Sequence, residues 1–443
     1  MSALTMVRNL VLKLLLSTQF QQLLRRVRRL KRRWFADDPT IDVYLRLDDP
    51  YSLLLVRRLP KLVRAYAVSL AIHLIDDSIP EELEPDPDRL TRFARSDVAM
   101  MCAITAEPFD ASKELAAQTS GAQALLAEEI ANPDSQAQLA GLLGIFEAYW
   151  GGDLAAIKPR LDRLNSIVLE KSRQTHRNGV KALVEGGHYR PATLQFEGEW
   201  FWGIDRLHFL LSRCDAQGLA RKGESQARVD LKADIEAINP CELADLSVPE
   251  GQVLDVYFSF RSPYSYLALQ RIQTLQESSG LQYRLRPVLP MVKRGLAVPR
   301  SKGFEIVKDT AREASRNKIP FGNLVDPLQA VEELLGLFVR AEASDCAMRF
   351  SLAVLRAAWA GGVDLTDQRQ RTRLLQEQGL ALSTPCTDAQ LEAGMALALE
   401  NRERLTALDL WGVPAYHING HKSWGQDRLV LLLQAANNEE AEN

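Results

Sequence analysis

The sequence predicts an α/β fold used twice in tandem, each copy carrying a helical insertion and the pair preceded by a basic N-terminal helix. Three observations predict it. Ile41-Asp-Val-Tyr-Leu-Arg-Leu-Asp-Asp-Pro-Tyr-Ser-Leu-Leu54 recurs as Leu254-Asp-Val-Tyr-Phe-Ser-Phe-Arg-Ser-Pro-Tyr-Ser-Tyr-Leu267. Pro191-Ala192, followed by Trp202-Gly203-Ile204-Asp205-Arg206-Leu207, matches Pro414-Ala415 followed by Trp424-Gly425-Gln426-Asp427-Arg428-Leu429. Between these anchors, Ala148-Tyr149-Trp150-Gly151-Gly152 parallels Ala358-Trp359-Ala360-Gly361-Gly362. Self-similarity kept in order and spacing marks a repeated structural unit. The chain then divides into a basic head at 1–36, a first unit at 37–218, a charged, partly apolar connector with some helix at 219–250 and a second unit at 251–436.

The head places Leu, Val and Phe at helical spacing from Leu4 to Phe20, with seven Lys/Arg following between Arg25 and Arg33. A secretory signal would carry its charge ahead of the apolar run; here the dense charge comes behind it. Two readings stand: an amphipathic, polybasic segment lying on an anionic membrane face, or a solvated helix docked on the body of the protein. In the second unit, Val253 to Phe260 alternates as a strand. Pro263 then opens a helix with Leu267, Leu269, Ile272 and Leu275 on its apolar face, and Leu281 to Val288 is the next strand of a βαβ unit. Residues 304–410 are helical in pattern, punctuated at Pro320, Gly361-Gly362 and Pro385. Val413 to Ile418 and His421 to Trp424 flank Asn419-Gly420, a strong hairpin signal, and Gln426 to Ala435 closes the unit as a helix. The order βαβ, helices, ββα is that of a thioredoxin-like fold with a helical insertion.

Composition narrows the function. The 443 residues are 46% hydrophobic and 25% charged, a globular mixture. The net charge of -3 argues against a nucleic-acid-coating protein, but it conceals an asymmetry: the first 36 residues carry nine Lys/Arg and no acid, leaving -12 on the rest. Cys102, Cys214, Cys241, Cys346 and Cys386 form no CxxC and no metal-ligand spacing, so reduced thiols and a cytoplasmic location are expected. No uncharged apolar run approaches the roughly 18 to 20 residues that a spanning helix needs. His417 and His421 straddle the hairpin without a carboxylate or Cys partner in motif spacing, so no metal is expected.

Asp255-Val-Tyr-Phe-Ser-Phe-Arg-Ser-Pro-Tyr-Ser-Tyr-Leu-Ala268, Gly412-Val413-Pro414 and Trp424-Gly-Gln-Asp-Arg-Leu429 together resemble the 2-hydroxychromene-2-carboxylate isomerases. These group with the kappa-class glutathione transferases in the DsbA-like thioredoxin superfamily. The resemblance covers residues 252–434 and extends more faintly to 41–212. It implies two DsbA-like folds, glutathione as cofactor, a small aromatic or conjugated substrate, and Ser262 as the catalytic residue. It further implies that Val413-Pro414 is a cis peptide whose Val413 backbone pairs with the cysteinyl part of glutathione. Asp427, assisted by Gln426, would take the γ-glutamyl ammonium, and Lys302 the glycine carboxylate. An asparagine expected before Lys302 is missing from Gly295-Leu-Ala-Val-Pro299. Because relatives of this family are commonly dimeric, an intramolecular pseudo-dimer of the two units is a further expectation.

The residues themselves agree at one position. Ser262-Pro263-Tyr264-Ser265 stands where redox relatives carry CxxC, so dithiol exchange is lost there. A serine hydroxyl can instead donate to an external thiolate, worth about 1.5 to 3 kcal/mol, and the helix N-terminus adds about 0.3 to 1. Ser262 could equally serve as a helix cap. Asp49 stands in the corresponding place of the first unit, and an ionised carboxylate would repel a thiolate. Only the second unit is therefore expected to be active. The rival expectation is a non-catalytic thioredoxin-fold binding or scaffold protein, tethered to a membrane or partner by its basic head.

Overall fold

A computed structural model of the chain describes residues 13–34, 38–83, 86–113, 115, 119–240, 251–296 and 298–442. It divides into two compact units. The N-terminal unit is Arg25–Asn239; the C-terminal unit is Pro240–Asn443, grouped with Met1–Leu24.

Helix α1 (Thr18–Trp34) starts among the residues grouped with the C-terminal unit and from Arg25 belongs to the N-terminal unit, where β1 (Thr40–Leu45), α2 (Pro50–Ala65) and β2 (Ser69–Leu74) follow it. Helices α3 (Pro87–Thr105), α4 (Thr119–Glu129), α5 (Ser135–Trp150) and α6 (Ser166–Glu185) follow, with a single turn at Lys158–Leu161. The hairpin β3 (Thr193–Phe196) and β4 (Glu199–Trp202), then α7 (Leu207–Ala216) and α8 (Ser225–Ile238), complete it. The sheet order is β2-β1-β3-β4, with β1 and β2 parallel and the other two pairs antiparallel. Of the connector expected at 219–250, residues 241–250 lie outside the described residues, and the remainder carries the expected helix, α8. Helix α8 packs on α2, burying Leu231, Ile235 and Ile238, and Asn239 Nδ2 donates to the Asp205 carbonyl at 3.0 Å.

The C-terminal unit repeats the plan. It runs through β5 (Val253–Phe258), α9 (Pro263–Ser279), β6 (Gln282–Pro287), α10 (Arg300–Arg316), α11 (Val331–Ala343) and α12 (Ala347–Arg356). Helices α13 (Gln368–Glu377) and α14 (Asp388–Ala407), the hairpin β7 (Ala415–Ile418) and β8 (His421–Trp424), and α15 (Leu429–Glu442) follow. The sheet order is β6-β5-β7-β8, strand for strand that of the first unit. The helical insertion thus extends from Arg300 to Ala407, close to its expected span.

Alternation along β5 places Leu254, Val256 and Phe258 on one face, all fully buried. α9 answers with Leu267, Leu269, Ile272 and Leu275, each also fully buried. The insertion is fastened to this core by aromatic rings: Phe258 and Phe260 lie 5.1 Å apart, and Phe260 meets Phe338 of α11 at 6.3 Å and Phe350 of α12 at 5.8 Å. Each fully buried ring contributes about 1.5 to 3 kcal/mol by leaving water.

Helices α11 and α14 meet backbone to backbone. A Cβ at Gly394 would lie 2.5 Å from the amide nitrogen of Gly336 and from the carbonyl carbon of Leu335. Neither atom can yield without moving a helix, so Gly394→Ala is expected to destabilise this unit by about 1 to 3 kcal/mol. The midpoint of chemical denaturation checks it; an unchanged midpoint would show that the two helices have slack.

Candidate functional site

The turn from β5 into α9 builds the centre of the site. Ser262 caps α9 in an extended conformation, φ -91° and ψ 117°, and Pro263 fills the first helical position, where no backbone N–H is needed. The Ser262 Oγ accepts from the Ser265 amide at 3.1 Å. Ser265 is fully buried, and its own Oγ accepts from the Ser259 amide at 3.3 Å, pinning the turn to the end of the strand. The Ser262 O–H points toward the Val413 carbonyl at 3.5 Å.

The first unit makes the same turn with different chemistry. Asp49 caps α2 at φ -95° and ψ 116°. Its Oδ2 accepts from both the amide and the hydroxyl of Ser52 at 2.8 Å, and Ser52 Oγ accepts from the Arg46 amide at 3.1 Å. The shared Pro-Tyr-Ser run is thus explained by the turn itself. Burial pushes the Asp49 carboxyl up to about 6, only partly opposed by the Arg46 charge and the Ser52 hydrogen bonds. At neutral pH this side chain is therefore mostly ionised and acts as an acceptor.

Facing the Ser262 turn, Val413-Pro414 is a cis peptide. Gly412 before it leaves room for an indole: a Cβ there would fall 2.2 Å from Trp424 Nε1. Trp424 meets Trp411 at 5.0 Å between ring centroids, and Arg294 Nη1 donates to the Trp411 carbonyl at 3.0 Å. Burial, with the Arg402 charge nearby, brings the Arg294 guanidinium down to about 10.

The strand registers correct one correspondence drawn from the sequence. Tyr44 pairs with Thr193 and Tyr257 with Ala415. The Gly203 amide donates to the Ala192 carbonyl at 2.9 Å, as the Gly425 amide does to that of Pro414. The residue placed like Pro414 is therefore Ala192, at φ 52°, and Pro191 lies one position earlier. Among the described residues Val413-Pro414 is the cis peptide bond of the chain, so the first unit lacks this feature.

Gln426 and Asp427 lie in a 3-10 turn, Gln426–Arg428, ahead of α15 and not within its first turn as expected. Gln426 is 1% exposed and thoroughly engaged. Its Nε2 donates to Glu313 Oε2 at 3.0 Å and to Asp427 Oδ1, while its carbonyl and Oε1 accept from Arg271 Nη1 at 2.8 and 3.3 Å. It works as a brace between α9, α10 and the turn that presents Asp427. In the first unit Ile204 replaces Gln426, and the arginine in register with Arg271, Arg58, pairs with Glu107 instead. Lys302, in the first turn of α10, is 7% exposed and so is no solvated surface lysine. The same helix carries Asp309, which accepts from the Tyr264 hydroxyl at 2.6 Å.

The structure therefore brings Ser262, Val413 and Pro414 together, joins Gln426 to Asp427, and places Lys302 on the helix that braces both. Sequence reasoning missed Arg271, Asp309 and Glu313; the contrast of Gln426 with Ile204 was the available signal. Among the described residues no group of three or more His, Cys, Asp and Glu could hold a metal ion.

Residues 253–437 match the model of the DSBA-like thioredoxin domain, and the C-terminal unit is a domain of that class. Beyond the class, the chain is 25% identical over 189 residues to the 2-hydroxychromene-2-carboxylate isomerase of Sphingobium xenophagum, covering 41% of this chain and 96% of that protein. It is 27% identical over 194 residues to the enzyme of the same name from Pseudomonas putida, covering 41% and 93%. A solved 2-hydroxychromene-2-carboxylate isomerase aligns at 23% identity with a TM-score of 0.37, over 43% of this chain and 97% of that one. The family match lies in the C-terminal unit. Kinship of the N-terminal unit rests on its repeated motifs and its second sheet of the same order.

Asp49 yields a pH test. Its folded pKa lies above the ordinary carboxylate value, so the folded unit holds this proton more tightly than the unfolded chain does. That stabilisation is complete below about pH 4 and is lost as pH rises through about 6. Asp49→Asn keeps a capping acceptor and is expected to stabilise the first unit by up to about 3 kcal/mol near pH 7.5, with little effect near pH 4. Denaturation midpoints at the two pH values check this. An equal effect at both would remove the ionisation argument.

Proposed function

We propose that the C-terminal unit binds glutathione at the Ser262 turn and acts as a glutathione-dependent isomerase or transferase on an aromatic or conjugated small molecule. The observation that carries this reading is the division of labour on the Ser262 hydroxyl. Its oxygen is occupied as a helix cap, while its proton has the Val413 carbonyl at 3.5 Å, the outer limit of a hydrogen bond. Ser262 and Val413 are both half-buried, so an incoming ligand can reach them. A thiolate at this position would take that proton in a charge-assisted bond of about 1.5 to 3 kcal/mol. It would also sit at the N-terminus of α9, which favours negative charge by about 0.3 to 1 kcal/mol.

The surrounding donor set suits a tripeptide with a thiol, an ammonium and two carboxylates. Asp427, oriented by Gln426, offers a carboxylate for the ammonium. Lys302 offers a cation for the glycine carboxylate, and the Val413 backbone flanks the thiol. When bound, glutathione supplies a sulfur nucleophile that can add to an electrophilic carbon and leave again. The protein's part is to hold the thiol ionised and to fix the two ends of the tripeptide. The names borne by the curated relatives support isomerisation. One observation favours a non-catalytic reading: Asp49 caps its helix in the same geometry, so Ser262 need do no more than cap.

Two substitutions separate the readings. The thiol pKa of bound glutathione, followed by thiolate absorbance, is expected to fall roughly 1.5 to 3 units below that of the free thiol in the wild type. Ser262→Ala should raise it by about 1 to 2 units. Ser262→Asp keeps the cap but removes the donor; it should retain the fold and lose thiolate stabilisation. Wild-type protein that does not bind glutathione, or variants with an unchanged thiol pKa, would contradict the proposal.

A further inference from the structure

Helix α1 has two faces with different occupants. Its inner face is held by the N-terminal unit. Arg25 makes a two-pronged ion pair with Glu199 at 2.7 and 3.2 Å. Arg32 pairs with Glu197 at 3.0 Å and donates to Gln217 Oε1 at 2.7 Å, and Arg29 donates to the Ala216 carbonyl at 3.3 Å. Burial pushes the Glu199 carboxyl up, but the Arg213 and Arg25 guanidiniums overcome it and leave the group below its usual range. These arginines are committed to docking the helix.

The outer face is apolar and exposed among the described residues. Leu23, Val27, Leu30 and Trp34 are 55%, 55%, 65% and 85% exposed. Their spacing of four, three and four residues places them in one stripe along the helix. Arg26 lies on one flank of the stripe and Lys31 on the other, and both are exposed. The helix contains no acidic residue.

The flanking charges discriminate between coverings. The spacing would suit a two-stranded coiled coil, but Arg26 and Lys31 would then occupy the positions that face each other across the seam. A second copy would meet cation with cation. A surface that is apolar beneath and anionic at its rim satisfies both features at once. Indole at the end of the stripe suits the polar boundary of a bilayer. We infer that the outer face of α1 is a membrane-docking surface. It lies in the plane of an anionic bilayer, with Leu23, Val27, Leu30 and Trp34 in the acyl boundary and Arg26 and Lys31 among the headgroups. The helix is a peripheral anchor, and the ion pairs to Glu197 and Glu199 carry the N-terminal unit with it.

The test uses the full chain and vesicles of phosphatidylcholine with or without about one-third phosphatidylglycerol. Co-sedimentation should occur with the anionic vesicles, at least about tenfold more tightly than with neutral ones, and should weaken as salt rises. The double variant Arg26→Glu/Lys31→Glu should lose at least about tenfold in binding, as should Leu30→Glu alone. Both alter exposed side chains only, and an unchanged circular dichroism spectrum verifies the fold. Brominated lipid should quench tryptophan emission in the wild type and less so in Trp34→Phe. Absence of binding, equal binding to neutral vesicles, or full binding by the charge-reversed variant would overturn the inference. So would a salt-insensitive dimer in solution that Leu30→Glu dissociates, since the stripe would then be covered by a second copy.

Discussion

Every helix leaves its first backbone N–H groups unpaired, and the turn from the first strand into the first long helix must satisfy them in a confined place. Both units solve this with a side-chain oxygen at the cap and a buried serine three residues on that ties the turn back to the strand. The acceptor is obligatory; the spare proton is not. Asp49 supplies an acceptor, whereas Ser262 supplies an acceptor and also a hydroxyl hydrogen, directed at the Val413 carbonyl. In the function proposed above, that hydroxyl hydrogen is what separates a scaffold turn from a thiol site.

The rest of the second unit is arranged around that turn. The cis Val413-Pro414 peptide brings a carbonyl to the serine hydroxyl, and the indole of Trp424 occupies the space left by Gly412. Arg271 and Glu313 immobilise Gln426, so Asp427 is presented from a fixed turn. In the first unit these connections have been rewired together. Arg58 turns to Glu107, Ile204 replaces the amide, and Ala192 takes the place of the cis proline. Three coordinated departures leave the N-terminal unit's sheet and core intact.

Much of this was legible in the sequence because strand alternation, proline at a helix start and the Asn419-Gly420 turn are local signals. The repeated motifs supplied the order of elements along the chain twice; the order of strands within each sheet comes from the structure. Two features were not legible, for identifiable reasons. The slip between Pro191 and Pro414 arose because two prolines one residue apart in register look alike in a string; only cross-strand pairing separates them. Glu313 and Arg271 reach Gln426 across distances of more than a hundred residues, which no periodicity reports. The charged segment at 219–250 reads as a connector with some helix, and the packing of the Leu231, Ile235 and Ile238 stripe of α8 adds what that helix covers. The basic head, likewise, divides by face and not by position: its docking arginines and its exposed stripe alternate along the same helix.

Of two equivalent turns, the one at Ser262 is proposed to hold a thiolate and the one at Asp49 is not. A crystal structure of the full chain with glutathione tests it most directly. One tripeptide per chain is expected, its sulfur within hydrogen-bond distance of the Ser262 hydroxyl and its main chain against Val413, with the Asp49 turn empty. Glutathione bound at the Asp49 turn, or at Ser262 with its sulfur turned away from the hydroxyl, would contradict it.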